Sequence, residues 1–174
     1  MKFLSVVVGV CALSASLLAQ GPPAKGNAAK SAITVSVGTL SCTTSLGTDI
    51  FPVLSWSWGA SNAVVLGGGG GGAGKVNLGD LNIQKPFDGC SPALFGAVAT
   101  GKAFPNLTLT ASNKDGTTTT LTLSDVRVSS WQASGSAASD AAGESASFTF
   151  SKICLADGGS GARFCFDAKT GTSS

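Results

Sequence analysis

Gly69, Gly74 and Lys75 stand at the spacing of a phosphate-binding loop. In such a loop backbone amides cradle the phosphates, the lysine neutralises them, and a following Ser or Thr holds magnesium. Val76 takes the place of that hydroxyl here, and the residues after it alternate like a strand instead of opening a helix. The run is therefore read as an exposed glycine loop. The chain has no His, which removes Ser-His-Asp triads, His-activated cysteines and HExxH zinc sites. With 9 Asp and Glu, paired-carboxylate hydrolysis is the acid–base chemistry left to consider. Most of these carboxylates sit beside Gly or Ser in turn-like contexts, and replacing Asp88 or Glu144 would reveal any such activity. Trp56, Trp58 and Trp131 could stack sugars, but aromatics in phase with the apolar face of a strand are usually core. No catalytic residue, cofactor or metal ligand is assigned.

Cysteine is the remaining reactive type. Residues 1–19 have the pattern of a secretory signal peptide: Lys2 as a short basic region, an apolar stretch from Phe3 to Leu18, and a cleavage site near Ala19. Val10 before Cys11 is not the small residue that a lipoprotein anchor requires, and the apolar run is short for a stable membrane span. Removing this segment leaves Cys42, Cys90, Cys154 and Cys165 of the 5 cysteines. An even set in an exported chain points to two disulfides, with buried free thiols as the other reading. Three pairings are possible. Cys154 and Cys165 flank LADGGSGARF, a hairpin-like segment, and Cys42 with Cys90 would then be the long-range pair. The expected location is periplasmic or secreted.

Composition bounds the partners and the fold. Only 11% of the 174 residues are charged, the net charge is +2, and 24 are glycine. No basic run offers a handle for nucleic acid or an anionic membrane. A Thr- and Gly-rich chain of low charge reads as β structure with many turns. Residues 20–31 have linker composition. Ile33, Val35 and Val37 define a first strand, and Leu54, Trp56 and Trp58 a second. Val76 and Leu78 differ in phase from Leu81 and Ile83, which predicts a bulge at Gly79-Asp80. Ser91 as N-cap, Pro92 at the first helical position and Gly101 at the end predict one short helix with Leu94, Phe95 and Val98 on one side. Leu107 and Leu109 mark the next strand. A long strand follows over Thr119 to Trp131, with a bulge near Ser124-Asp125. Phe148 with Phe150, and Phe164 with Phe166, mark the last strands. About seven strands and one helix suggest a sandwich-like or closed barrel.

Several segments in order then resemble one family. LSWSWGAS (54–61), GGGGGGAGKVNLGDLNIQKPFD (67–88), SPALFGAVATGKAFPNLTLTA (91–111), DVRVSSWQASG (125–135) and ESASFTFSKI (144–153) are similar to the Hcp tube proteins of type VI secretion systems. The resemblance spans roughly residues 33–155. It implies a mainly β fold, a small β-barrel of two antiparallel sheets with one flanking short α-helix. On that basis residues 32–168 form the domain and 169–174 a disordered tail. It also implies a non-enzymatic subunit of a homo-hexameric ring whose rings stack into a tube, with secretion-system spike or effector proteins as further partners. The family's ring-to-ring loop would correspond to residues 59–75, with Gly59, Gly67, Gly70, Gly74 and Lys75 as assembly candidates. The other functional expectation is a secreted monomeric β-barrel module that binds a protein or a glycan.

Overall fold

A computed structural model describes residues 32–63, 75–137 and 141–174. The expected signal peptide, the 20–31 linker and the glycine run at 67–74 lie outside the described residues. The elements in order are β1 (Ala32–Val37), β2 (Thr43–Thr44), β3 (Gly47–Thr48), β4 (Ile50–Val53), β5 (Ser55–Ser57), β6 (Ala60–Asn62) and β7 (Val76–Leu78). They continue with β8 (Leu81–Pro86), α1 (Ser91–Thr100), β9 (Ala103–Ser112), β10 (Thr118–Ser134), β11 (Gly143–Thr149), β12 (Lys152–Asp157), β13 (Arg163–Asp167) and β14 (Thr172–Ser173).

Alternation of apolar and polar residues sets the inner face. Val35 stands opposite both Phe51 and Leu109, and Leu109 stands opposite Leu121. All four are fully buried. A row of this kind across four antiparallel strands is the repeating unit of sheet stability. The strand order is β14-β13-β12-β10-β11-β8-β5, with β9 also on β10, β1 on β9, and β4 on β1. Leu54 alone separates β4 from β5, and its N–H donates to the Gln84 carbonyl at 2.7 Å. Residues 50–57 therefore pair with β1 through their first half and with β8 through their second. Pairings thus run in a circuit around one core, and the helix packs against β10.

Local details differ from the sequence-based expectations for identifiable reasons. Leu54 is 67% exposed, because the partner change at this residue turns it out of the alternation that Trp56 and Trp58 follow. At Gly79-Asp80 the chain leaves the β6–β7 ladder for the main sheet, so the phase change is a switch of sheets and not a bulge. At Asp125 (φ 53°) the buried residues of β10 shift from Leu121 and Leu123 to Val126 and Val128. The β9 register is kept across this point, Ser124 on Asn106 and Val126 on Phe104, so both strands kink together opposite Pro105. A true register shift lies further on, between Val128 and Ser130 against β11.

The helix begins one residue earlier than expected, with Cys90 as N-cap. Ser91 is instead buried and accepts the Asp88 N–H at 2.8 Å. Leu94 and Ala97 form the buried side, whereas Phe95 is 56% exposed. Gly101 closes the helix at φ 65°, a left-handed conformation that costs glycine little. Residues 169–174 are not a disordered tail: β14 pairs with β13, and Ser174 and Cys165 exchange two backbone hydrogen bonds of 2.8 and 3.0 Å.

Two disulfides brace the sheet. Cys42–Cys90 ties the β2 segment to the start of α1 across a sequence separation of 48. Gly89 makes room for it, since a side chain there would collide with the Thr43 carbonyl. Cys154–Cys165 joins directly opposed residues of β12 and β13 across a separation of 11. Restriction of the unfolded chain grows with loop length. Replacing Cys42 and Cys90 together by serine should cost about 4 kcal/mol, against about 3 kcal/mol for Cys154 and Cys165, in equilibrium urea unfolding.

Candidate assembly surface

Among the assembly candidates, Gly59 and Lys75 flank a two-stranded arm, β6–β7, in which Ala60 faces Leu78 and Asn62 faces Val76. The Gly79 N–H donates to the Gly59 carbonyl at 2.9 Å and closes the base of the arm. A side chain on Gly79 would crowd that carbonyl at 3.1 Å. Gly67, Gly70 and Gly74 lie outside the described residues.

Beneath the arm runs an apolar groove of about 300 Å³. Trp58, Val76 and Leu78 form one side, and Leu155, Phe164 and Phe166 form the other. Trp58 leans on Phe150 with ring centroids 6.5 Å apart, and its indole N–H is buried without a hydrogen-bond partner among the described residues. Phe164 is 59% and Leu155 43% exposed, and among the described residues no charged side chain lines the groove. An uncharged, water-facing apolar groove of this kind favours contact with another surface.

Two rows across the outward face of β5, β8, β11 and β10 are polar and uncharged. Ser57, Asn82, Ser147 and Ser130 form one cross-strand row, and Ser55, Gln84, Ser145 and Gln132 the next. Ser130 Oγ donates to Ser147 Oγ at 2.9 Å, which donates to Asn82 Oδ1 at 2.7 Å. A matching face on β1, β9 and β10 carries Thr34, Thr110 and Thr120 in one row and Ser36, Thr108 and Thr122 in another. Hydroxyls and amides satisfy water or a neighbouring surface equally well, so little electrostatic repulsion opposes association.

Asp88 and Glu144 do meet, but through a lysine. Lys85 is fully buried, and its Nζ reaches Glu144 Oε1 at 2.6 Å, Asp88 Oδ1 at 2.8 Å, the Pro86 carbonyl at 2.8 Å and Ser91 Oγ at 3.4 Å. It also sits 5.2 Å from the centre of the Phe51 ring. Glu144 Oε2 accepts the Trp131 indole N–H at 3.0 Å, and Phe95 covers Trp131 with ring centroids 5.3 Å apart. Asp88 Oδ1 also accepts the Cys90 N–H at 2.8 Å. A cation locked between two carboxylates inside the sheet positions the helix start and engages both acids in holding the fold. Lys85 escaped the sequence reading, although it shares parity with Leu81 and Ile83, and Glu144 shares parity with Ala146 and Phe148. That common phase was the available signal.

The other well-held carboxylates shape turns. Asp157 accepts from the Ser160 hydroxyl (2.6 Å) and from the amides of Ser160 and Gly159, and these hydrogen bonds hold its pKa below the ordinary aspartate value. The Thr117 hydroxyl and amide lower Asp115, and Lys169 with Ser151 lowers Asp125. A folded pKa below the unfolded one means that the turn is fully supported above the ordinary aspartate range and loses that support as pH falls through the lowered value. NMR titration should place the Asp157 midpoint below that of a free aspartate, and Ser160→Ala should move it back upward.

A family model described as "Type VI secretion system effector, Hcp" matches residues 37–156. The chain belongs to the Hcp family. Among solved structures, Hcp1 from Salmonella typhimurium is 23% identical, with a TM-score of 0.70 over 83% of this chain and 99% of that one. A type six secretion system protein is 22% identical, with a TM-score of 0.71 over the same shares. The secreted protein Hcp3 from Pseudomonas aeruginosa is 19% identical, with a TM-score of 0.57 over 79% of this chain and 97% of that one. No curated protein matches the sequence. These likenesses give an Hcp-like fold, and membership places the chain in a non-enzymatic structural family. In that setting the Lys85 cluster is a framework element. Lys85→Met should cost about 3–5 kcal/mol in denaturant unfolding, because two acids lose their cation. Lys85→Met with Glu144→Leu should recover part of that loss.

Proposed function

We propose that this chain is an exported Hcp-family subunit that self-associates into six-membered rings able to stack into a tube. The family match across residues 37–156 carries the reading. Three features support it. Strands β6 and β7 lie at the two ends of residues 59–75, the segment that the resemblance assigns to the family's ring-to-ring loop. The groove under the arm offers an apolar seat, and a cyclic ring is built by fitting one patch of each subunit to a different patch of its neighbour. The outer strand faces carry few charges to hold copies apart.

Export is supported by the signal-peptide pattern of residues 1–19 and by two disulfides, which persist in oxidising compartments. Secretion-system spike or effector proteins are the further partners this reading implies.

Light scattering coupled to size exclusion, on oxidised protein starting near residue 20, should give a mass of roughly six protomers. A monomer at high concentration would sink the ring and favour a secreted binding module. Leu155→Lys with Phe164→Lys places two charges in the groove at exposed positions. The expected result is a shift from ring to smaller species, with an unchanged circular dichroism spectrum.

A further inference from the structure

We propose that the Cys154–Cys165 disulfide is an exchange site for anionic low-molecular-weight thiols. The bridge lies on the outward side of β12 and β13, at the floor of a pocket of about 430 Å³ lined by Thr122, Ser124, Lys152, Arg163 and Ser174. The rows on either side of the cysteine pair carry its two cations. Lys152 lies two residues from Cys154 along β12, and Arg163 two residues from Cys165 along β13. Arg163 Nη2 donates to Cys154 Sγ at 3.6 Å.

Two acids stand nearby, each held in a turn by backbone amides. Asp167, opposite Lys152, accepts the amides of Lys169 and Thr170, and Asp157 accepts from Gly159 and Ser160. Among the described residues the pocket lining itself carries two cations, Lys152 and Arg163, and no Asp or Glu, while the Asp167 carboxylate faces Lys152 across the ladder. The two bridges differ in surroundings more than in exposure: Cys154 (8%) and Cys165 (5%) line the pocket, whereas Cys42 (7%) and Cys90 (0%) belong to the hydrophobic core cluster.

Arg163 fixes the direction of attack. Exchange is fastest where the departing thiolate is best stabilised, and the guanidinium stands on Cys154 Sγ. The incoming thiolate attacks Cys165 Sγ and forms a new sulfur–sulfur bond there. The Cys154–Cys165 bond breaks, and its electron pair leaves on Cys154 as a thiolate held by Arg163. A second thiolate attacking the adduct releases the symmetrical small disulfide and leaves two free cysteines. The sheet keeps its β12–β13 backbone ladder throughout, so the site can open without unfolding the domain.

The test uses the oxidised full mature chain with glutathione, neutral 2-mercaptoethanol and cationic cysteamine at equal thiolate concentration. Samples are quenched in acid and mapped by mass spectrometry. The expected adduct is glutathione on Cys165 with Cys154 free, while Cys42–Cys90 stays closed. Glutathione should open the bridge about three- to tenfold faster than cysteamine at low salt. That preference should vanish in 1 M salt and in Lys152→Gln with Arg163→Gln. Equal rates for the anionic and cationic thiols, an adduct on Cys154, prior opening of Cys42–Cys90, or a bridge inert to all three thiols would overturn the proposal, and each can be read on the unmutated protein.

Discussion

A lysine without water around it organises this domain. Burying Lys85 is unfavourable unless its charge is answered on several sides. Glu144 answers it from β11, Asp88 from the turn before the helix, and the Pro86 carbonyl from its own strand. Because the acids come from separate parts of the chain, one ammonium group fixes three relationships: β8 to β11, β8 to the helix start, and, through Glu144 and the Trp131 indole, β11 to β10. The Cys42–Cys90 bridge fastens the same helix start to the β2 segment. Purely apolar packing tolerates sliding by a residue pair, whereas a cation with directed partners does not, and this restricts the register of the strands around it.

With that frame held rigid, the strand faces can be covered largely by uncharged polar residues. Soluble monomers commonly keep their edges and faces apart with charged residues. Here serine, threonine, asparagine and glutamine cover the strand faces, and the groove below the β6–β7 arm is apolar. Such a surface suits a subunit whose neighbours are copies of itself, the reading that family membership favours.

Much of this was legible in the chain, and the remainder was hidden for physical reasons. Strict period-two alternation at Val35-Val37, Leu107-Leu109 and Leu121-Leu123 identifies strands because each has one dry and one wet face. The segments between 54 and 153 carry the family resemblance. What alternation does not encode is partner choice. At Leu54 one strand changes neighbour, at Gly79 the chain changes sheet, and at Asp125 two strands bend together around Pro105. Each is decided by contacts distant in sequence. Phe95 looks like a core residue by helical spacing, yet it lies on the outside over Trp131, which only the position of β10 explains. Lys85 was overlooked because its type argues for solvent while its phase argues for the interior, and only the acids waiting for it settle the conflict.

The circuit of pairings also sets a timetable. β1 is bonded on one edge to β4, close in sequence, and on the other to β9, which ends at Ser112. β8 awaits β11, whose last residue is Thr149. A chain emerging from its N-terminus can form local hairpins early, but the sheet cannot close on itself until nearly the whole sequence is present. Topologies dominated by distant pairings fold slowly because the loops must be closed before the contacts reward them. Under the proposed export, in which the polypeptide crosses a membrane as an extended strand, that delay is an advantage: the architecture postpones its own completion until the thread has passed.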